Sequence, residues 1–174
     1  MGHVRSAGGG ESGFIAALPN NPDIVFAGSY GGFLTRKDMR TGLERNINAW
    51  PDNPMGHGAI DSAQRFQWTF PIVFSPHDAN VLYSGAEKLF KSVKKGEEPY
   101  AISPDLSSRD ESRIRITTGF DIEGNPAVDA TGGITRDATG AEENATIVTI
   151  AESPFKAGVL YVGTNELQTG ADAA

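Results

Sequence analysis

Residues 71–85 read PIVFSPHDANVLYSG, and the same plan occurs three times in the chain. Residues 14–28 read FIAALPNNPDIVFAG, and residues 149–163 read TIAESPFKAGVLYVG. Each copy is an apolar strand, a proline, a polar turn, a second apolar strand and a closing glycine. The proline-to-glycine distance is nine residues in every copy: Pro19 to Gly28, Pro76 to Gly85, Pro154 to Gly163. Shared apolar pattern and shared turn chemistry identify an internal repeat. The proline sits where the chain leaves the ladder, so its missing N–H costs no strand hydrogen bond. The glycine is expected where the backbone turns tightly. Gly96 lies outside this pattern, so a side chain added at Gly85 is expected to cost more than one added at Gly96.

Working outward, helical periodicity is nearly absent, and short β-branched or aromatic runs are punctuated by Gly, Pro, Asn and Asp. Strands are expected over 13–18, 24–28, 33–36, 43–48, 66–74, 81–85, 89–92, 100–103, 145–151 and 159–163. A short helical turn is expected over 59–65, where Asp61 and Arg65 stand at i,i+4. The fold class is all-β, built from antiparallel hairpins. In the second copy two more strands follow, completing a four-stranded antiparallel unit of the β-propeller-blade kind, with a β-sandwich of generic hairpins as the competing reading. The organisation expected is a blade over 13–50, an insertion over 51–65, a blade over 66–103, a long loop over 104–144, a partial blade over 145–168 and a polar tail over 169–174. Propellers close with ~4–8 blades. Two blades and a partial third make an incomplete ring, so further blades of a longer protein or other protein chains are the partners expected to cover its edges.

Composition removes several classes of function. The 174 residues hold no Cys, which excludes disulfides, Cys-based zinc sites and thiol catalysis. With 15 Lys+Arg against 22 Asp+Glu the net charge is −7, against a nucleic-acid partner. No apolar run approaches the ~20 residues of a membrane span. The one basic concentration, Lys88, Lys91, Lys94 and Lys95 flanked by Glu87, Glu97 and Glu98, reads as a solvated hairpin or a protected edge.

Ser75-Pro76-His77-Asp78 followed by Asn80-Val81-Leu82-Tyr83-Ser84-Gly85 resembles the blade signature of the BNR (Asp-box) and sortilin-type repeat β-propeller proteins. Leu89-Phe90-Lys91-Ser92 and Ile102-Ser103-Pro104-Asp105-Leu106 do the same. GGGESG at 8–13, AGSYGG at 27–32, NINAWPDNPMGH at 46–57 and RFQWTFP at 65–71 are similar to large bacterial proteins of that group, usually described as glycosyl hydrolase-like. The resemblance covers 8–106 well and 132–164 less well. It implies a multi-blade, exported protein, periplasmic or extracellular, although no signal peptide is visible in this chain. The Asp-box itself, Ser-x-Asp-x-Gly-x-x-Trp, falls on 92–99, where Ser92 and Gly96 match but Lys94 replaces the Asp and Pro99 the Trp. In the family that box staples a turn and is not catalytic.

The chemistry-bearing residues concentrate between Trp50 and Trp68. Trp50, Asp52, His57, Arg65, Gln67 and Trp68 are the candidate ligand-binding set: aromatic faces stack on sugars, and carboxylates and Arg take hydroxyls or acidic groups. The plainer reading packs both tryptophans into a blade interface. Glycoside hydrolysis needs two carboxyls flanking a cleft, for which Asp52 and Asp61 are the candidates. Asp121, Glu123, Asn125 and Asp129 place oxygens at positions 1, 3, 5 and 9 of a calcium loop. Pro126 stands where that loop needs Gly, and Gly132 where it needs Glu, so no cofactor is required and calcium is the one alternative. His77 is expected as a surface turn residue. The functional expectation is a non-enzymatic propeller module for binding or assembly. The alternative is a segment of a carbohydrate-active propeller whose 50–68 loop lines a sugar-binding cleft.

Overall fold

The protein is described by a computed structural model covering residues 5–11, 13–53, 62–109, 114 and 145–165. Those residues form three antiparallel sheets in chain order. Sheet 1 is the meander β1 (Ile15–Leu18), β2 (Asn21–Gly28), β3 (Leu34–Asp38) and β4 (Glu44–Asn46). Sheet 2 repeats it with β5 (Ile72–Phe74), β6 (Leu82–Gly85), β7 (Leu89–Ser92) and β8 (Tyr100–Ala101). Sheet 3 is the hairpin β9 (Ile147–Glu152) and β10 (Leu160–Thr164). The all-β, four-stranded antiparallel expectation holds, and among the described residues the sheets do not close a ring.

The three copies of the repeat pair in one register. Ile15 faces Ala27, Ile72 faces Ser84, and Ile150 faces Val162. One step on, Ala16 faces Phe26, Val73 faces Tyr83, and Ala151 faces Tyr161. The turn chemistry repeats less fully. Ser75 Oγ accepts the His77 N–H at 3.1 Å, and Ser153 Oγ accepts the Phe155 N–H at 3.3 Å. A hydroxyl two residues before the bonded N–H closes the turn locally. The first copy has Leu18 at that place, and there the register slips between Ala17 and Leu18. Its second strand accordingly starts at Asn21, earlier than the apolar pattern suggests.

The sheets stack in sequence, β1 beside β5 and β5 beside β9. Alternation along a strand sends successive side chains to opposite faces. In sheet 2 both faces are covered. Ile72, Leu82 and Phe90 join Leu18, Ile24, Phe26 and Leu34 of sheet 1 in one core. Val81, Tyr83 and Leu89 join Ile147 and Ile150 of sheet 3 in a second. Each of these large side chains contributes ~1.5–3 kcal/mol by leaving water. Sheet 3 is covered on one face, and the outer face of sheet 1 is covered only in part, where Gly8 and Gly9 lie over Ala27 and Thr35; Ile15 and Tyr161 on these outer faces are 64% and 65% exposed.

The structure corrects four expectations. The 66–74 run is not one strand: only Ile72–Phe74 is in the ladder. Phe66 and Phe70 leave it and pack edge-on to each other, with ring centres 5.3 Å apart and Phe66 stacked on Phe90. The described part of the expected helical turn, 62–65, is bend and coil. The repeat glycine is needed for close approach, not for a tight turn: a Cβ on Gly85 would sit 2.7 Å from Ile147 Cγ2, where sheet 3 packs across β6. Nor is Gly96 the freer glycine. It has φ +88°, and a Cβ there would sit 2.6 Å from Ile47 Cδ1 and 3.2 Å from Phe26 Cε1. A side chain at Gly96 meets both strain and clash, which Gly85 meets only as clash.

Candidate functional site

In an up-and-down meander the turn between the second and third strands lies at the end where the first strand begins. At this end the three sheets are tied together by their connections. A single 3₁₀ turn, Tyr30–Gly32, links β2 to β3. Gly32 has φ +80°, and a Cβ there would sit 2.6 Å from Phe66. The Phe66 ring fills that space, which fixes Arg65 over the β6–β7 turn. The Arg65 N–H donates to Glu87 Oε2 at 2.6 Å, and Glu87 is only 3% exposed.

The Arg65 guanidinium reaches further. Its Nη2 donates to Asp105 Oδ2 at 3.0 Å and to Ser107 Oγ at 3.0 Å, and approaches the Ala145 carbonyl at 3.5 Å. Asp105 follows Pro104 in an Asx turn, its Oδ1 accepting from the Ser107 N–H at 2.8 Å and from the Ser107 hydroxyl at 2.5 Å. Arg109 Nε lies 3.3 Å from the same carboxylate. The Leu106 N–H donates to the Glu87 carbonyl at 2.9 Å. Burial alone pushes the Asp105 carboxyl up; the Ser107 hydroxyl and N–H, with the Arg65 guanidinium, outweigh it and hold it below the usual carboxylate range. Every polar group named here except the buried Arg65 Nε has a protein partner. The cluster therefore works as a clamp between the chain entering β5, the chain leaving β8 and the chain approaching β9.

The remaining candidates fall into separate small groups. Trp50, 38% exposed, donates its indole N–H to Asp52 Oδ2 at 2.8 Å. Trp68 is half-buried with its ring 5.4 Å from Tyr30 and tilted by 50°, and Tyr30 meets Phe33 edge-on. Gln67 folds its side-chain carbonyl onto the Trp68 N–H at 2.9 Å. His57 and Asp61 lie outside the described residues, as do the calcium candidates Asp121, Glu123, Asn125 and Asp129. Among the described residues no cluster of three or more His, Asp or Glu is placed to hold a metal. His77 is exposed in its turn, with Nε2 2.8 Å from the Ser153 carbonyl of sheet 3.

Three features carried little sequence signal. The clamp partners Asp105 and Arg65 are 40 residues apart, and only the Pro-Asp-x-Ser run at 104–107 marks the Asx turn. Glu87, expected on a solvated hairpin, is buried; the exposed Lys94–Glu98 pair does behave as expected. On sheet 1 a groove of about 350 Å³ is lined by Ile24, Arg36, Asp38, Leu43, Glu44 and Arg45, the last ion-paired to Glu97. At its edge Asp38 closes the turn after β3, its Oδ1 accepting the Arg40 N–H at 2.8 Å. In the second copy Ser92 closes the turn instead, its Oγ donating to the Glu97 carbonyl and accepting from the Lys94 N–H.

No protein-family model matches this chain, and neither does any curated protein. Among the described residues no helix is long and apolar enough to cross a membrane.

Proposed function

We propose that this chain is a run of β-propeller repeats of the BNR and sortilin type that works as a non-enzymatic assembly module, its end sheets packing on further repeats or other protein chains. The observation that carries the reading is the one register shared by all three copies, with each sheet stacked on the next through the same positions. A sandwich of unrelated hairpins has no reason to repeat both the pairing and the stacking. The chemistry points the same way. Arg65 is committed to Asp105 and Ser107, and Asp52 to the Trp50 indole, so these groups hold the fold instead of facing a substrate.

A second reading, a segment of a carbohydrate-active propeller, rests on the partly exposed Trp50 indole oriented by Asp52. An indole held in that way is a stacking surface for a sugar face. Tryptophan fluorescence during titration with neutral and acidic oligosaccharides, run beside aryl-glycoside hydrolysis, separates the two. The assembly reading expects a flat emission spectrum and no turnover. A saturable shift lost in Trp50→Ala transfers the function to the carbohydrate reading.

A further inference from the structure

Each internal joint of the stack uses the same two sets of repeat positions. The face a sheet turns toward the next one carries the third and thirteenth residues of the repeat. These are Ala16 and Phe26 in sheet 1 and Val73 and Tyr83 in sheet 2; Phe26 is 0% and Tyr83 1% exposed. The face turned toward the preceding sheet carries the second, which is Ile72 in sheet 2 and Ile150 in sheet 3, both buried. At the two ends of the stack the residues at these positions stand exposed, while beside Ile15 the chain's own Gly8 and Gly9 lie over Ala27 and Thr35. Sheet 3 presents Tyr161 where Phe26 and Tyr83 are covered, and sheet 1 presents Ile15 where Ile72 and Ile150 are covered. The turn repeats the pattern. His77 at the seventh position reaches the Ser153 carbonyl of the next sheet, whereas Phe155 at the seventh position of sheet 3 is 95% exposed.

We infer that the Tyr161 face of one copy of this chain docks on the Ile15 face of a second copy, extending the internal joint from sheet 3 to sheet 1 of the neighbour. The inference rests on the repeat reading above and goes beyond it by fixing the occupant and the direction. The chain carries both halves of a joint it makes twice internally, one half open at each end, so a second copy supplies the missing half on both sides. The contact is head-to-tail: an Ile15 face meets a Tyr161 face, never its own kind. Head-to-tail joints either close into a ring or grow into a filament. Two copies bring six sheets, inside the ~4–8 that closed propellers use, so closure at a dimer is expected.

The test is sedimentation velocity over a concentration series for the wild-type chain, Ile15→Lys, Tyr161→Lys and an equimolar mixture of the two variants. Both residues are mostly exposed, so each variant keeps the wild-type far-ultraviolet circular dichroism and melting curve. The wild type is expected to form a dimer that grows no further. Either variant alone is expected to be monomeric, because every joint between identical copies then contains a lysine. Their mixture is expected to associate into an open heterodimer, because one good face of each kind remains. A wild type that stays monomeric at hundreds of micromolar overturns the inference and hands the faces to another partner, while the oligosaccharide titration still decides the assembly reading separately. Self-association of either variant alone overturns it too, since a like-to-like contact would then be responsible.

Discussion

Sheet 2 and sheet 3 are built from the same motif, yet their second strands live in different surroundings. β6 is buried along its whole length, Leu82 entering one core and Tyr83, with Val81 just before the strand, the other. β10 has no fully buried residue, and Tyr161 stands out from it. The difference teaches that burial here follows from place in the stack, not from the local sequence. VLYSG and VLYVG are nearly the same string, but only the first has a sheet on each side.

The sharpest way to break that comparison is to truncate the equivalent tyrosines. Tyr83→Ala empties a packed site between sheets 2 and 3 and removes the hydroxyl that donates to Glu152 at 3.3 Å. Such truncations of buried aromatics cost ~3–5 kcal/mol. Tyr161→Ala, measured in dilute solution, is expected within ~0.5 kcal/mol of wild type, as for a surface site. Urea midpoints give both values, and equal losses would mean that sheet 3 is covered as fully as sheet 2.

The glycines sharpen the same point one step down. Gly96→Val drives a branched side chain into Ile47, Phe26 and Leu82 from a backbone at φ +88°, and overpacking of this kind costs ~1–3 kcal/mol. Gly85→Val meets Ile147 and Pro71 without the backbone strain. Gly96→Val is therefore expected to unfold at a urea concentration no higher than Gly85→Val. A Gly96→Val midpoint close to wild type would show that the turn after β7 is not packed on sheet 1.

Much of this architecture was legible in the sequence. The hairpins and their register follow from proline, glycine and alternating apolar residues, all signals confined to fifteen-residue windows. What escaped reading was set by distant contacts. Phe66 and Phe70 look like strand residues because an apolar run does not tell a ladder from a plug, and only Gly32 and Gly28, far back in the chain, make room for them. Glu87 looks solvated beside Lys88, yet it is buried with its carboxylate accepting the backbone N–H of the distant Arg65. Of the candidate ligand set, sequence separates neither the paired Trp50 and Asp52 from the clamped Arg65 nor either from Trp68. Trp50 and Asp52 bond to each other, Arg65 is held in the clamp, and Trp68 packs on Tyr30.

The clamp gives the next prediction, smaller than the core truncation. Arg65→Met keeps the length of the side chain and removes the donors to Asp105 and Ser107, leaving Arg109, among the described residues, as the cation at that carboxylate. Leaving a buried acceptor short of a donor costs ~1–3 kcal/mol. The loss is expected in the melting temperature, and Arg65→Lys is expected to recover only part of it, since a single ammonium does not match the fork of the guanidinium. Full recovery by lysine would mean that charge alone holds the junction.

The smallest effect expected is a pH dependence, and it tests whether the clamp and the joint of sheet 2 to sheet 3 are both electrostatically tied. Asp105 belongs to the clamp, and Glu152 accepts the Gly158 N–H at 2.7 Å and the Tyr83 hydroxyl across the joint to sheet 3. Burial raises both carboxyls, but the donors around them outweigh it and leave both below their usual range. Tyr83, buried and facing Glu152, is pushed up to about 12. A carboxyl with a lowered folded value binds protons less readily than in the unfolded chain. Its stabilisation is complete above the unfolded value of ~3.9 for Asp or ~4.3 for Glu, and fades as pH falls through the lowered folded value. Stability is therefore expected to be level with respect to these two groups from neutral pH down to about 5 and to fall on further acidification. Replacing Asp105 by Asn is expected to lower the plateau and flatten the acid limb, because the group that titrates is gone while its donors remain. An acid limb as steep in Asp105→Asn as in the wild type would assign the pH dependence to the Glu152 joint instead.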